Sequence, residues 1–260
     1  MLTRADFQLP PQLPLRPNVI GDGRTLHVPG RFHLVVPPAA AGYHDAQISD
    51  YTTPADFCWH PPLRLRIRAC FAGLHAGTAG FGFWNHPFVP GERGFRLPRA
   101  VWFFASSPPN DMRLALDVPG AGWKAATFDA LRLPFFLLLP AALPGLLLMR
   151  VPALYRRLWP VGQRALGVSE ALLDPALLTD FHEYTLDWLP ESVYFAVDGQ
   201  PVHHARVAVR GPLGFIVWID NQYAIVTPQG RFAFGVSPAL HEQSLTLESV
   251  EIEPLLTSLR

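Results

Sequence analysis

The stretch FHEYTLDWLPESVYFAVDGQPV, Phe181–Val202, decides the fold class. It reads as two strands joined by a tight turn, with a second turn at Asp198-Gly199, a dipeptide suited to the backbone of a two-residue hairpin. Upstream, HPPLRLRIRACFAG sets Leu63, Leu65, Ile67 and Ala69 against Arg64, Arg66 and Arg68. This period of two predicts a half-exposed strand, with the three arginines on a solvated sheet face rather than in an anion site. AGFGFWNHPF and RAVWFFASSP are apolar and aromatic and read as more deeply buried strands; GPLGFIVWIDNQ, RFAFGV and SLTLESVEIEP resume the pattern after the quoted stretch. With 28 Pro and 20 Gly among 260 residues, many short elements are favoured over long helices, and an antiparallel β-sandwich is predicted.

Charge excludes some classes of partner. Lys+Arg and Asp+Glu stand at 21 each, so no net field draws nucleic acid or an acidic ligand. Cys58 and Cys70 are too few for a disulfide framework and match no metal spacing; Cys70, in an apolar run, reads as a buried free thiol. No cofactor or metal site is expected. The Pro-broken N-terminus, MLTRADFQLPPQLPLRPN, lacks the continuous apolar core of a secretory signal, so a cytoplasmic location is expected, with peripheral membrane attachment the variant that the next segment raises.

Between Leu133 and Met149 the chain reads LPFFLLLPAALPGLLLM, without a charge and flanked by Arg132 and Arg150. Its length lies at the lower edge of a membrane span, but Pro134, Pro140 and Pro144 argue against one straight helix. Strands before and after it that share a sheet must lie on one side of a bilayer, so a single crossing is excluded. Short Pro-started helices followed by an amphipathic one through Leu154, Leu158 and Trp159 satisfy that constraint. Residues 131–173 are thus expected to be a mainly helical apolar insertion within one domain spanning 1–260. Its apolar residues either fold against the sandwich as core or stay exposed, with Phe135, Phe136, Leu137 and Leu147 as a membrane or self-association surface and Arg156, Arg157 and Trp159 at its edge.

The quoted stretch resembles glycoside hydrolase family 16, the laminarinase-like branch of the concanavalin A-like lectin/glucanase superfamily. Its aromatic strand, Trp188, the Pro-Glu-Ser turn and the Asp-Gly hairpin match that pattern; GPLGFIVWIDNQ, SLTLESVEIEPL, SDYTTPADFCWHPPLRLRIRACF and GTAGFGFWNHPF resemble neighbouring family segments more weakly. The resemblance implies a jelly-roll sandwich whose concave sheet binds carbohydrate. It also implies a catalytic strand carrying Glu-x-Asp-x-x-Glu, which sets a nucleophile and an acid/base on one strand face. The corresponding stretch here, GFRLPRAVWFFASSPPNDM, has no carboxylate between Glu92 and Asp111, and Glu248, Glu251 and Glu253 lie instead in the closing strand.

By that comparison, two clusters border the concave face: Trp84, Asn85 and His86, and Trp218, Asp220, Asn221 and Tyr223, with Trp102 in a catalytic position. The indoles suit stacking on a sugar face or lining an apolar channel, Asp220 and Asn221 suit hydroxyls, and His86 near Asp220 has the chemistry of a base. Two functions are expected. One is a non-hydrolytic binding protein for a carbohydrate, glycolipid-like or apolar small molecule, working at a membrane surface through the insertion. The other is a divergent glycoside hydrolase, or another enzyme for an apolar ligand, with relocated acid/base residues. Two carboxylates facing each other in the groove would favour the second.

Overall fold

The structure, a computed structural model, describes residues 15–74, 76–86 and 96–255. The reading of the extreme N-terminus and the segment around Glu92 lie outside these residues. Among them the chain forms β1 (Arg16–Ile20), β2 (Arg24–Val28), β3 (Arg31–Val36), β4 (Asp45–Ser49), β5 (Leu63–Ala72), β6 (Thr78–Trp84), β7 (Arg99–Ser106), β8 (Asp111–Met112) and β9 (Gly122–Asp129). Three helices follow, α1 (Leu133–Leu138), α2 (Ala142–Leu148) and α3 (Pro152–Ala165). The chain then returns through β10 (Ser169–Leu172), β11 (His182–Trp188), β12 (Val193–Val197), β13 (Gln200–Ala205), β14 (Gly214–Asp220), β15 (Gln222–Val226), β16 (Phe232–Val236) and β17 (Gln243–Pro254).

Two seven-stranded antiparallel sheets result, in the orders β1-β4-β14-β6-β7-β9-β10 and β13-β12-β11-β5-β17-β3-β2. They form the expected jelly-roll β-sandwich. Alternate residues of each strand point between the sheets: Phe81, Phe83, Val101, Phe103 and Trp123 from the first meet Leu65, Ile67, Tyr184, Leu186 and Phe195 from the second. Each large apolar side chain buried this way contributes about 1.5–3 kcal/mol. The quoted stretch supplies β11, β12 and the start of β13. Asp198 at φ 49° and Gly199 at φ 74° form its second turn. A Cβ at Gly199 would meet nothing within 4 Å, so the dihedral rather than crowding favours glycine there.

The arginines of β5 lie on the solvated outer face, as read. Arg64 pairs with Asp187 at 2.5 Å, Arg66 with Glu253 at 3.0 Å and Arg68 with Glu248 at 2.7 Å. Glu248, Glu251 and Glu253 are thus the cross-strand partners of an ion-pair ladder, worth at most about 1 kcal/mol per exposed pair. Cys70 differs from its reading: it falls on this same outward face and is partly exposed, because alternation along β5 outweighs the apolar character of its neighbours.

The helices occupy 133–165, within the segment read as an insertion, while β10 pairs with β9 at the edge of the first sheet. α1 and α3 begin with Pro134 and Pro152 at their starts, where no backbone N–H is needed. Neither α1 nor α2 buries a single residue. Trp159 does not lie at an exposed edge: it is 8% exposed and its indole nitrogen donates to the Leu114 carbonyl at 2.8 Å, anchoring α3 to the sandwich. Phe136, Leu137 and Leu147 are exposed and Phe135 is half-buried. Among the described residues no helix is long and apolar enough to cross a membrane.

Candidate functional site

The site is built on the face of the first sheet turned away from the core. Strand register arranges its side chains in rows. One row reads Gln47, Trp218, Gly80, Phe104 and Lys124 across β4, β14, β6, β7 and β9. The next reads Ser49, Ile216, Gly82, Trp102, Ala126 and Glu170, ending on β10. A third contains Gly214, Trp84, Ala100 and Phe128. At the opposite end lie Asp45, Asp220, Thr78 and Ser106.

The central rows form an aromatic floor. Trp84 and Trp218 lie 6.3 Å apart with ring planes within 5°, Trp102 is 5.3 Å from Trp218 and 5.3 Å from Phe104, and Ile216 and Met112 pack beside them. The glycines of GFGFW make room for the indoles. A Cβ on Gly80 would come within 3.0 Å of the Trp218 ring, and one on Gly82 within 2.8 Å of Trp102 Cβ and 2.3 Å of the Val101 carbonyl. The sequence therefore puts phenylalanine on the core side of β6 and leaves the outer side flat, so that neighbouring rings lie across it. Trp218 and Phe104 are buried, while Trp84 and Trp102 keep partial access to solvent. The Trp84 indole N–H donates to the Tyr51 hydroxyl, and the His86 ring stacks on Trp84 at 4.8 Å.

The polar residues expected at this site mostly serve the backbone. Asn85 receives the Arg99 N–H at 2.8 Å and donates to the Leu97 carbonyl at 2.8 Å. Asn221, with no exposed surface, receives the His44 N–H and donates to the carbonyls of Gly42 and Ser237. Tyr223 lies on the ribbon formed by β16, β15 and β8, its ring over Gly235. Asp220 accepts at Oδ1 from the Thr78 N–H and hydroxyl, both at 2.9 Å, and from the Gln222 N–H at 3.1 Å. Burial pushes its carboxyl up to about 7 against these donors. The structure separates His86 from Asp220: Trp84 pairs with Gly214, six residues from Asp220, which at about 3.3 Å per residue puts roughly 20 Å between them. A proton relay between the two is excluded.

Two ionisable pairs on this face were not foreseen. Asp45 stands directly opposite Asp220 in the β4–β14 register, and burial, followed by the charge of Asp220, raises its carboxyl well above the usual range. The Tyr43 hydroxyl is raised too, by burial and then by both carboxylates. Nothing in the sequence brings positions 45 and 220 together. Lys124 and Glu170, 1% and 5% exposed, pair at 3.6 Å. The ammonium also donates to the carbonyls of Met112 and Gly120, and Glu170 accepts the Ala115 N–H at 3.0 Å. Burial lowers the Lys124 ammonium and raises the Glu170 carboxyl. This pair clamps the loop after β8 over the sheet edge. One sequence signal was available, a lone charge inside the strand-like run GWKAATF.

A sequence profile of glycosyl hydrolases family 16 matches residues 163–210, which run from the end of α3 past β13. Phe181–Val202 lies inside the match, and β7 lies outside it. No curated protein sequence matches the chain. Among solved structures, a β-glucanase from Bacillus licheniformis is similar with 12% identity and a TM-score of 0.48, over 96% of each chain. A legume lectin-like domain from Entamoeba histolytica is similar with 8% identity and a TM-score of 0.48, over 92% of this chain and 90% of that one. The exoplasmic/lumenal domain of VIP36, in a form bound to Ca2+ and mannose, is similar with 10% identity and a TM-score of 0.48, over 93% and 84%.

Proposed function

We propose that the chain is a non-hydrolytic carbohydrate-binding protein that holds a sugar, or the sugar part of a glycolipid, on the floor of Trp84 and Trp102, and that it works at a membrane surface with the helices of 133–165 as its second contact. One observation carries the binding reading: the middle of the outer face presents Trp84, Trp102, Trp218 and Phe104 over glycines and alanines, with Gln47, Ser49, Lys124 and Glu170 at the ends of the rows, and β7 has Trp102 where the family resemblance calls for a carboxylate. The apolar faces of a pyranose stack on such rings, and the area an indole buries against them supplies the attraction. The acid at the edge of those rows, Glu170, is committed to Lys124 and the Ala115 N–H.

A divergent hydrolase remains as the second reading because Asp45 and Asp220 face each other, with Cβ atoms of directly opposed residues about 4.5–5.5 Å apart. Against it, both residues are nearly without exposed surface, at 3% and 6%, and Asp220 Oδ1 is occupied by three donors. The deciding experiment combines glycan-array binding with turnover of β-1,3- and β-1,4-glucans by the purified protein. Binding that is lost in Trp102→Ala, without turnover, supports the first reading. Turnover abolished by Asp45→Asn establishes the second.

A further inference from the structure

α1 and α2 lack any buried residue, although the sequence from 133 to 149 is uncharged. Leu133, Leu137 and Leu143 are each 71% exposed, and Leu139, Leu147, Leu148 and Val151 are each about half exposed. At about 25 cal/mol per Å², so much apolar surface left in water is a standing cost that a covering phase removes. The charges around it have one sign. From Ala130 to Val168 there are five arginines, Arg132, Arg150, Arg156, Arg157 and Arg164, and no acidic residue, in a chain whose charges balance only over its whole length. Arg156 reaches Asp117 at 3.7 Å; Arg150, Arg157 and Arg164 form no ion pair among the described residues.

Where α1 leans on α3 there is an open cleft of about 450 Å³, lined by Pro134, Leu137, Leu138, Val161 and Ala165 and rimmed by Arg132 and Arg164. Arg132 donates through Nη1 to the Arg164 carbonyl at 2.7 Å, which fixes one guanidinium at the rim. On its inner side lies Asp129, whose carboxyl is raised by burial, with the backbone N–H groups of Leu131 and Arg210 and the guanidiniums of Arg99 and Arg132 acting against that rise. An apolar trough with two cations at its mouth has the amphiphilic order of a phospholipid: headgroup phosphate outside, acyl chain within.

We propose that α1, α2 and the adjoining face of α3 dock into the interface of an anionic lipid bilayer, with a headgroup phosphate seated between Arg132 and Arg164 and acyl chain against Leu137, Leu138 and Val161. The proposal rests on the membrane-surface reading above and names the lipid class and its seat. In a symmetric contact with a second copy, the arginines of one face would meet the same arginines, with Asp117, already beside Arg156, as an acid at hand. Interfacial helices bind through apolar area plus attraction of basic residues to anionic lipid.

The test is sedimentation of the full chain with phosphatidylcholine vesicles, alone or mixed with phosphatidylglycerol. Wild type should partition to the mixed vesicles at least about tenfold more strongly than to the neutral ones, with the difference falling at high salt. Arg132→Gln/Arg164→Gln should remove most of that preference, up to about thirty-fold for two cations at about 1 kcal/mol each. Leu137→Glu/Leu143→Glu, both at exposed positions, should abolish sedimentation while leaving the melting temperature and glycan binding unchanged. Equal partitioning to both vesicle types overturns the anionic seat and spares the membrane reading. Failure to bind either, together with a dimer in sedimentation velocity that Leu137→Glu/Leu143→Glu dissociates, overturns both and assigns the face to a second copy. Glycan binding is read separately, so loss of one result leaves the other interpretable.

Discussion

The Trp218 indole nitrogen donates to the Thr78 hydroxyl at 3.0 Å, and that hydroxyl donates onward to Asp220. The relay fixes the ring at the base of the aromatic floor, and it ends on a carboxyl whose ionisation is costly in its buried surroundings.

The relay makes stability depend on pH. Asp220 titrates at about 7 in the folded chain against 3.8 for a free carboxyl. Between those values the folded state holds a proton that the unfolded state has released. The stabilisation linked to that proton is complete below about 3.8 and is lost as pH rises through 7. Asp220→Asn keeps an acceptor for Thr78 and removes the titration. Urea unfolding across this range should show wild type losing on the order of 2–4 kcal/mol relative to the variant by pH 8. Parallel pH profiles would mean that Asp220 is ionised in the folded chain throughout.

The three tryptophans should separate by role. Trp84 and Trp102 keep partial access to solvent, so Trp102→Ala should weaken sugar binding by about 1–3 kcal/mol in calorimetry with a small change in stability. Trp218 is 7% exposed and packed against Trp84, Trp102 and Phe104, so Trp218→Ala should cost about 3–5 kcal/mol of stability in urea unfolding. A stable Trp218→Ala protein would show that its ring is ligand surface rather than support.

For Lys124 and Glu170, a double-mutant cycle is informative. Lys124→Met leaves a buried carboxyl without its cation and should cost about 3–5 kcal/mol, as should Glu170→Leu alone. The double variant should recover a large part of that loss, because two apolar side chains replace the pair. Additive losses would show that the bonds to Met112, Gly120 and Ala115, not the mutual charge, hold the loop.

Two glycines should respond in opposite directions. A methyl group at Gly82 meets the Val101 carbonyl and Trp102, at a φ of 149°, so Gly82→Ala should destabilise by at least about 1–3 kcal/mol. Gly145 lies inside α2 with nothing within 4 Å of its would-be Cβ, and Gly145→Ala should stabilise by about 0.5–1 kcal/mol. Thermal melts of both variants check the pair of signs.

What the sequence determined by itself was local and periodic. Alternation in LRLRIRACFA fixed which face of β5 meets water, the Asp198-Gly199 dipeptide fixed the hairpin, and three prolines fixed short helices between 133 and 149, since each follows from neighbours in the chain. The identity of the floor was partly legible: the family resemblance, not the strand pattern, placed Trp84, Trp102 and Trp218 at the concave face, and Gly80 and Gly82 stood in the pattern GTAGFGFWNHPF without their purpose. Only the tertiary structure decided who faces whom. Register set Asp45 against Asp220 across 175 positions of chain and Lys124 beside Glu170 across the whole helical excursion. The same register put His86 and Asp220 at opposite ends of one strand pair and turned Asn85 and Asn221 inward to backbone groups. The reason is that a side chain's role depends on burial and on partners distant in sequence, and neither is encoded in the spacing of the residues beside it.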